Sequence, residues 1–272
     1  MIKLYHNNMS SCAQKVRFAL AAKGIDWVGE ELDLRRGDQL QPDYLRINPK
    51  GLVPALVHDG NVVVESNIIL DYLNEVFPEP PLLPEAPLDR ASVRWWMKRL
   101  DDGLHLDLAA LSFGIAFRHQ LLKICESTEA VDKHIDAVPD PYLREVERQV
   151  VHDGMDSPRF AMAVVQFNKL IQEIDNELSS HDWIGTDSLS LADIAYAPYV
   201  TRLDHLKLDG LWDSRPRFSD WYQRLKNSDG YGAGLADWFN PAYVSLMQDM
   251  GTKAWPRVAN ILNEHPEMTG HV

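Results

Sequence analysis

The feature that most constrains this chain is a change of hydrophobic period along it. From Ile2 to Val76 short β-like runs alternate with amphipathic segments, and beyond a proline-rich break the pattern turns helical. Ile2 to Tyr5 reads as a strand. Ala13 to Lys23 carries Val16, Ala19, Leu20 and Lys23 at helical spacing, and Gly24 closes it before the strand-like Ile25 to Leu32. That order is a β-α-β unit, in which the crossover helix must pack back on the sheet. A polar stretch, Asp33 to Pro42, and a short helical run, Asp43 to Ile47, come next. Val53 to Val57 and Val62 to Val64 then flank the turn His58-Asp59-Gly60-Asn61 as a hairpin. Ser66 is placed to cap a helix carrying Ile69, Tyr72, Leu73 and Val76 on one face, and Pro78 with the stretch Glu79 to Pro87 ends it.

Beyond this linker the expected helices run from Asp89 to about Leu122, from Asp140 to Val151 and from Pro158 to Leu178. Trp183-Ile184-Gly185-Thr186 breaks the period. Ser190 with Asp193 three residues on marks a new helix start close to a capping box. Apolar residues recur at helical intervals past Pro241, so the tail is expected to be ordered. The spacing therefore predicts an α/β domain over 1–79 and an all-helical domain over 88–272.

Composition closes off other classes. The 272 residues hold 27 basic and 40 acidic side chains, a net charge of −13, so the chain as a whole repels a phosphate backbone and no nucleic-acid partner is expected. No apolar run reaches the ~18 residues of a membrane span, and MIKLYHNNMSS lacks a basic and apolar leader; a cytoplasmic protein with no membrane partner is expected. Cys12 and Cys125 form no C-x-x-C pair and read as reduced thiols. No ligand cluster of metal spacing appears, so no metal is expected.

Three places carry chemistry. Asn8-Met9-Ser10-Ser11-Cys12 lies between the first strand and first helix, where unpaired amides and the helix dipole favour an anion such as a thiolate; equally, Ser10 or Ser11 there would simply cap the helix. In Asn48-Pro49-Lys50-Gly51-Leu52-Val53-Pro54 a proline opens a strand. Val53-Pro54 is a candidate cis bond, leaving the main chain of Val53 for an extended peptide ligand or else a bare edge strand. Glu65-Ser66, directly before a helix, suits an amino-acid head group, the carboxylate taking its ammonium and the hydroxyl and first amides its carboxylate.

Together the runs Ser10-Ser11-Cys12-x-x-Lys15-Val16-Arg17-Phe18-Ala19-Leu20, Asn48-Pro49-Lys50-Gly51-x-Val53-Pro54-Ala55-Leu56, Glu65-Ser66-x-Ile68-Ile69-x-Asp71-Tyr72-Leu73 and Ser190-Leu191-Ala192-Asp193-Ile194 resemble the cytosolic glutathione transferases. The resemblance implies a thioredoxin-like N-terminal domain that binds glutathione, a helical C-terminal domain that shapes the electrophile's pocket, and a homodimer. The Ser-Ser-Cys start is similar to the zeta class, which implies that Ser10 serves the glutathione sulfur, with Ser11 and Cys12 adjacent. By the same similarity Gln39, Lys50, Val53, Pro54, Glu65 and Ser66 would bind glutathione. The chain is longer than a zeta-type enzyme. The excess at about 113–159, with Val62-Val63-Val64-Glu65-Ser66 and Arg94-Trp95-Trp96-x-Lys98, resembles the bacterial β-aryl etherases, which use glutathione to displace a phenoxide from lignin-derived ethers.

The chemistry is feasible without a metal. A thiol of pKa near ~8.5 is mostly protonated at neutral pH. A charged hydrogen bond contributes roughly 1.5–3 kcal/mol and a helix N-terminus about 0.3–1, which together lower a thiol pKa by roughly one to three. Cys12 is the rival: at a helix N-terminus its own thiol would be activated and would form a mixed disulfide with glutathione. For a small aromatic electrophile, Met9, Trp95, Asp102 and His105 are candidate pocket residues. Trp95 with Lys98 and Asp102, or Asp101 with His105, would share a helix face; Trp95 and Trp96 serve equally as core or dimer-interface residues. Expected roles are ether cleavage in lignin degradation or detoxification, with zeta-type glutathione-dependent isomerisation and a non-catalytic binding module as alternatives.

Overall fold

The computed structural model describes residues 1–265; residues 266–272, the end of the expected helical domain, lie outside the described residues. By contact the chain forms two compact units. The first gathers 1–98, 180–200 and 220–240; the second gathers, among the described residues, 99–179, 201–219 and 241–265.

The first unit is built on a four-stranded sheet of order β2-β1-β3-β4, from β1 (Ile2–His6), β2 (Trp27–Glu31), β3 (Ala55–His58) and β4 (Asn61–Val64). β1 pairs parallel with β2 across α1 (Ser11–Ala22) and antiparallel with β3, and β3 and β4 form the hairpin. The expected β-α-β-β unit is therefore present, and the chain has the thioredoxin-like fold. Strand alternation is clear in β1, where Ile2, Leu4 and His6 are buried and Lys3 and Tyr5 are half-buried. β2 is shorter than Ile25 to Leu32. Gly29, Glu30 and Glu31 on it are exposed, as suits an edge that must not pair with another chain. α1 and α3 (Ser66–Val76) bury Val16, Ala19, Leu20, Ile69, Leu70 and Leu73. A separate cluster of Leu32, Tyr44 and Ala55, joined by Tyr5 and Val53, includes the short helix α2 (Pro42–Leu45).

Also in the first unit, α4 (Pro87–Arg99) places Trp96 in the core, where its carbonyl accepts from the Tyr196 hydroxyl at 2.9 Å. The expected start at Ser190 is found: α10 (Leu191–His205) opens with Asp193 Oδ2 accepting from Ser190 N and Oγ, both at 2.9 Å. Its other oxygen accepts from Ile184 N at 2.9 Å and Trp221 Nε1 at 2.8 Å, so one buried carboxylate ties the turn at 183–186 to a later helix. Burial pushes Asp193 up to about 6 against those donors, which hold it down.

The helix expected from Asp89 to Leu122 is interrupted twice. α4 gives way to a π-helical turn at Leu100–Leu104, where Gly103 has φ 146, then α5 (His105–Ser112), a second π turn at Phe113–Phe117, and α6 (Arg118–Ile124). The second unit continues with α7 (Thr128–Asp136), which the periodicity does not predict, then α8 (Pro141–Val151) and α9 (Pro158–Glu177). α11 (Pro216–Lys226), α12 (Tyr231–Gly234) and α13 (Pro241–Glu264) follow in sequence. α9 buries Phe160, Ala163, Val164, Phe167, Leu170, Ile171 and Ile174 at helical spacing, and α13 buries Met247, Gly251, Ala254, Val258 and Ile261, so the tail is ordered through Glu264. Among the described residues no helix is long and apolar enough to cross a membrane.

Candidate functional site

The first candidate segment folds as a turn feeding α1. Ser10 is the N-cap, with φ −68 and ψ 118, and its Oγ accepts from Ala13 N at 3.3 Å. A hydroxyl oxygen that accepts from the helix keeps its proton to donate, so capping and donation to an anion are compatible on one side chain. Ser11, the first helical residue, is buried; Cys12, next along, is half-buried, and neither cysteine is in a disulfide. Met9 is buried, its Sδ accepting from Asn240 N at 3.4 Å and its N–H donating to Asn7 Oδ1 at 3.0 Å.

The second segment is a braced loop ending in the expected cis peptide at Val53-Pro54. Leu52 O accepts from Asn48 Nδ2 at 2.8 Å and from the Tyr44 hydroxyl, while Asn48 Oδ1 accepts from Lys50 N at 3.1 Å. Gly51 has φ 62, and a Cβ there would lie 3.2 Å from Gln39 O, so another residue would be strained where the loop closes on the segment bearing Gln39. Gln39 donates from Nε2 to Leu34 O at 3.2 Å, and its Oε1 is buried with no hydrogen-bond partner among the described residues.

At the third segment the structure corrects the cap. Ser66 is not the N-cap but the first residue of α3; the cap is Glu65, with φ 69 and ψ 114 and no side-chain cap bond. A positive φ on a residue with a Cβ is strained, and such strain gathers at functional sites. It puts the Glu65 carboxylate against the loop: Lys50 Nζ lies 2.7 Å from Glu65 Oε1. Ser66 Oγ and Asn67 Oδ1 accept from the buried Lys15 Nζ at 3.4 and 3.1 Å. Thus Gln39, the 48–54 loop, Glu65 and Ser66 are joined by contact, and Lys15 links them to α1.

Lys15 and Arg17 on α1 are both buried. Arg17 donates to the carbonyls of Asn7, Asn8 and Gly234, and its Nη1 meets His6 Nδ1 at 3.2 Å. Burial lowers its pKa to about 10; burial first, then the charge of Arg17, lowers that of His6 to about 4, so His6 is neutral at physiological pH. Sequence reading misses this arrangement because Gly234 is more than two hundred residues away in the chain. The signal that was present is the pair Gly230 and Gly234, glycines where backbones approach closely.

The aromatic-pocket candidates fall on less regular ground. Trp95 is 57% exposed, edge-on to Trp96 with centroids 5.0 Å apart. Asp102 is exposed within the π turn and His105 opens α5 half-buried. Shared-face spacing computed for a continuous α-helix does not carry across Leu100–Leu104, because a π turn changes the rotation per residue. Among the described residues no group of three or more His, Cys, Asp or Glu is placed to hold a metal.

Comparison with known proteins places this geometry. The N-terminal domain of glutathione S-transferases matches residues 9–76 and the C-terminal domain matches 132–224. Protein LigF of Sphingobium sp. strain NBRC 103272 / SYK-6 is 30% identical over 248 residues, covering 84% of this chain and 95% of LigF. The crystal structure titled β-etherase LigF superposes with TM-score 0.75 at 26% identity, over 86% of this chain and 98% of that one. Glutathione S-transferase Z1 of Arabidopsis thaliana is 45% identical over 115 residues, 41% of this chain and 52% of that protein. Maleylacetoacetate isomerase of Pseudomonas aeruginosa is 44% identical over 96 residues, 34% of this chain and 45% of that protein. The chain thus spans about half the length, or less, of these two relatives.

Proposed function

The chain belongs to the glutathione S-transferase family, and we propose that it uses the glutathione thiolate as nucleophile on a hydrophobic aromatic electrophile, with cleavage of a β-aryl ether as its reaction. The observation that carries the ether reading is similarity to a β-etherase along nearly that protein's whole length. The relatives with higher identity match over about half their length or less.

Glutathione fits the first unit. Its main-chain amides find an unsatisfied buried acceptor in Gln39 Oε1 and the main chain of Val53 before cis-Pro54, while Lys50, Glu65 and Ser66 offer charge and hydroxyl for its two ends. Ser10 Oγ, accepting from Ala13 N, donates a hydrogen bond to the sulfur, whose own proton is lost to solvent, and the N-terminus of α1 adds a favourable field. The thiolate then attacks the ether-bearing carbon: a C–S bond forms, the C–O bond breaks, the phenoxide leaves with the electron pair and takes a proton from solvent. Met9 and Trp95 are the first unit's candidates to contact the aromatic group, in a homodimeric cytoplasmic enzyme of lignin-derived ether breakdown.

A glutathione-dependent screen containing a β-aryl ether, a maleyl diacid and an aryl halide tests the reading by product identity. Phenol release with a glutathione thioether is the expected result. Turnover of the diacid alone would replace it with zeta-type isomerisation, which the local identity to Z1 and the isomerase favours.

A further inference from the structure

Arg17 has no exposed surface, yet each of its three side-chain nitrogens has a polar contact. Nη1 donates to Asn7 O at 3.0 Å, Nη2 to Asn8 O at 2.9 Å and Nε to Gly234 O at 3.1 Å. Asn7 O also accepts from Ser10 N at 3.3 Å, so a single carbonyl joins the guanidinium to the capping residue. Asn8 O is shared in turn with Gln14 Nε2 at 3.2 Å. Burying a cation for stability alone is a poor solution, since an apolar side chain of similar volume packs without desolvating a charge. What a planar guanidinium does that an aliphatic chain or an ammonium cannot is hold three carbonyls in one fixed fork.

The segment supplying the third carbonyl is pressed onto α1. A Cβ on Gly234 would lie 2.5 Å from Phe18 Cα, and Gly230, at φ 89, would place one 2.6 Å from Ala22 N. Four residues past Gly234, Trp238 stacks its ring 4.9 Å from the guanidinium, edge-on to His6 at 5.0 Å and 5.8 Å from Trp27. Its Nε1 donates back to Ala233 O at 2.9 Å, which locks the indole in place.

We propose that Arg17 is a positioning residue for the thiol-handling turn: its fork on the carbonyls of Asn7, Asn8 and Gly234 fixes where Ser10 Oγ lies, and makes the segment 231–238 part of that support. The inference rests on the reading of Ser10 as donor to the glutathione sulfur. Arg17→Lys keeps the charge but not the fork, so a role in geometry and a role in charge part company.

The test titrates the thiol of enzyme-bound glutathione by its thiolate absorbance in Ser10→Ala, Arg17→Lys and Trp238→Leu, beside kcat, glutathione KM and thermal unfolding. The expected result for Arg17→Lys is a folded protein whose thiol titrates about one pH unit higher and whose kcat falls about tenfold, with KM changed less than about threefold. Trp238→Leu moves both in the same direction by less. In Arg17→Ala, millimolar guanidinium restores part of kcat. If Ser10→Ala shifts the titration while the Arg17 and Trp238 variants that fold do not, the Ser10 reading stands and this inference falls. If Ser10→Ala itself leaves the titration unmoved, both fall. Should Arg17→Lys not fold, Trp238→Leu and guanidinium rescue decide.

Discussion

Ser10→Ala separates two roles assigned to one oxygen. In the folded chain Ser10 Oγ accepts from Ala13 N at 3.3 Å, at the long end for a cap, and α1 is held by packing on α3 and α12. Losing the cap is expected to cost about 1 kcal/mol, a fall of about 2–4 °C in Tm for a chain of this size. Losing the donor to the sulfur removes about 1.5–3 kcal/mol of thiolate stabilisation, which raises the bound thiol's pKa by about one to two. Activity at neutral pH should then fall about ten- to a hundredfold and recover as pH rises past the new pKa, since the solvent then removes the proton the serine had favoured losing. Initial rates with an aryl halide from acid to alkaline pH, beside thermal unfolding, measure both effects. A Tm drop with an unchanged pH–rate profile refutes the catalytic role and leaves only the cap. If Cys12→Ala is inactive while Ser10→Ala is not, the sulfur chemistry belongs to Cys12.

Three further expectations concern stability. Glu147, buried on α8, is pushed up to about 7 by burial from its ordinary 4.5, so its protonated form stabilises the fold below pH 4.5 and that contribution, about 3 kcal/mol, is lost as pH rises through 7. Urea unfolding should show this loss between pH 5 and about pH 8 in the wild type and not in Glu147→Gln; equal pH dependence in both contradicts it. Asp193→Ala leaves four donors facing a void and is expected to cost about 4 kcal/mol, against about 1–2 for Trp221→Phe, which removes one; comparable losses by urea titration would show that the carboxylate is not the hub. Gly251→Ala places a Cβ 1.9 Å from Leu206 O, a backbone atom that cannot swing aside, and should cost about 2 kcal/mol or more; a Tm within a degree of wild type would mean that α13 does not pack there.

Local order was readable in the chain itself. The β-α-β unit, the hairpin, the cis Val53-Pro54 bond and the Ser190–Asp193 start all rest on interactions spanning a few residues, where period, proline chemistry and capping act directly. Ser10, Pro54 and Ser66 sit at a helix cap, just before a strand and at a helix start for the same reason. What sequence could not carry was anything decided by non-local packing. The positive φ at Glu65 moves the cap by one residue, and nothing in the local pattern demands it. Two π turns break a helix whose apolar period reads as continuous, and the first of them breaks the face-sharing of Asp102 with Trp95 and of His105 with Asp101. Lys15 and Arg17 are basic residues of the first helix, and nothing in the local pattern says which acceptors meet their charge. The tertiary structure supplies acceptors from residues 51, 52 and 217 positions away, and so lets both cations be buried. Hydrophobic period is a property of neighbours in sequence, whereas the burial of a charge depends on which distant carbonyls arrive to meet it.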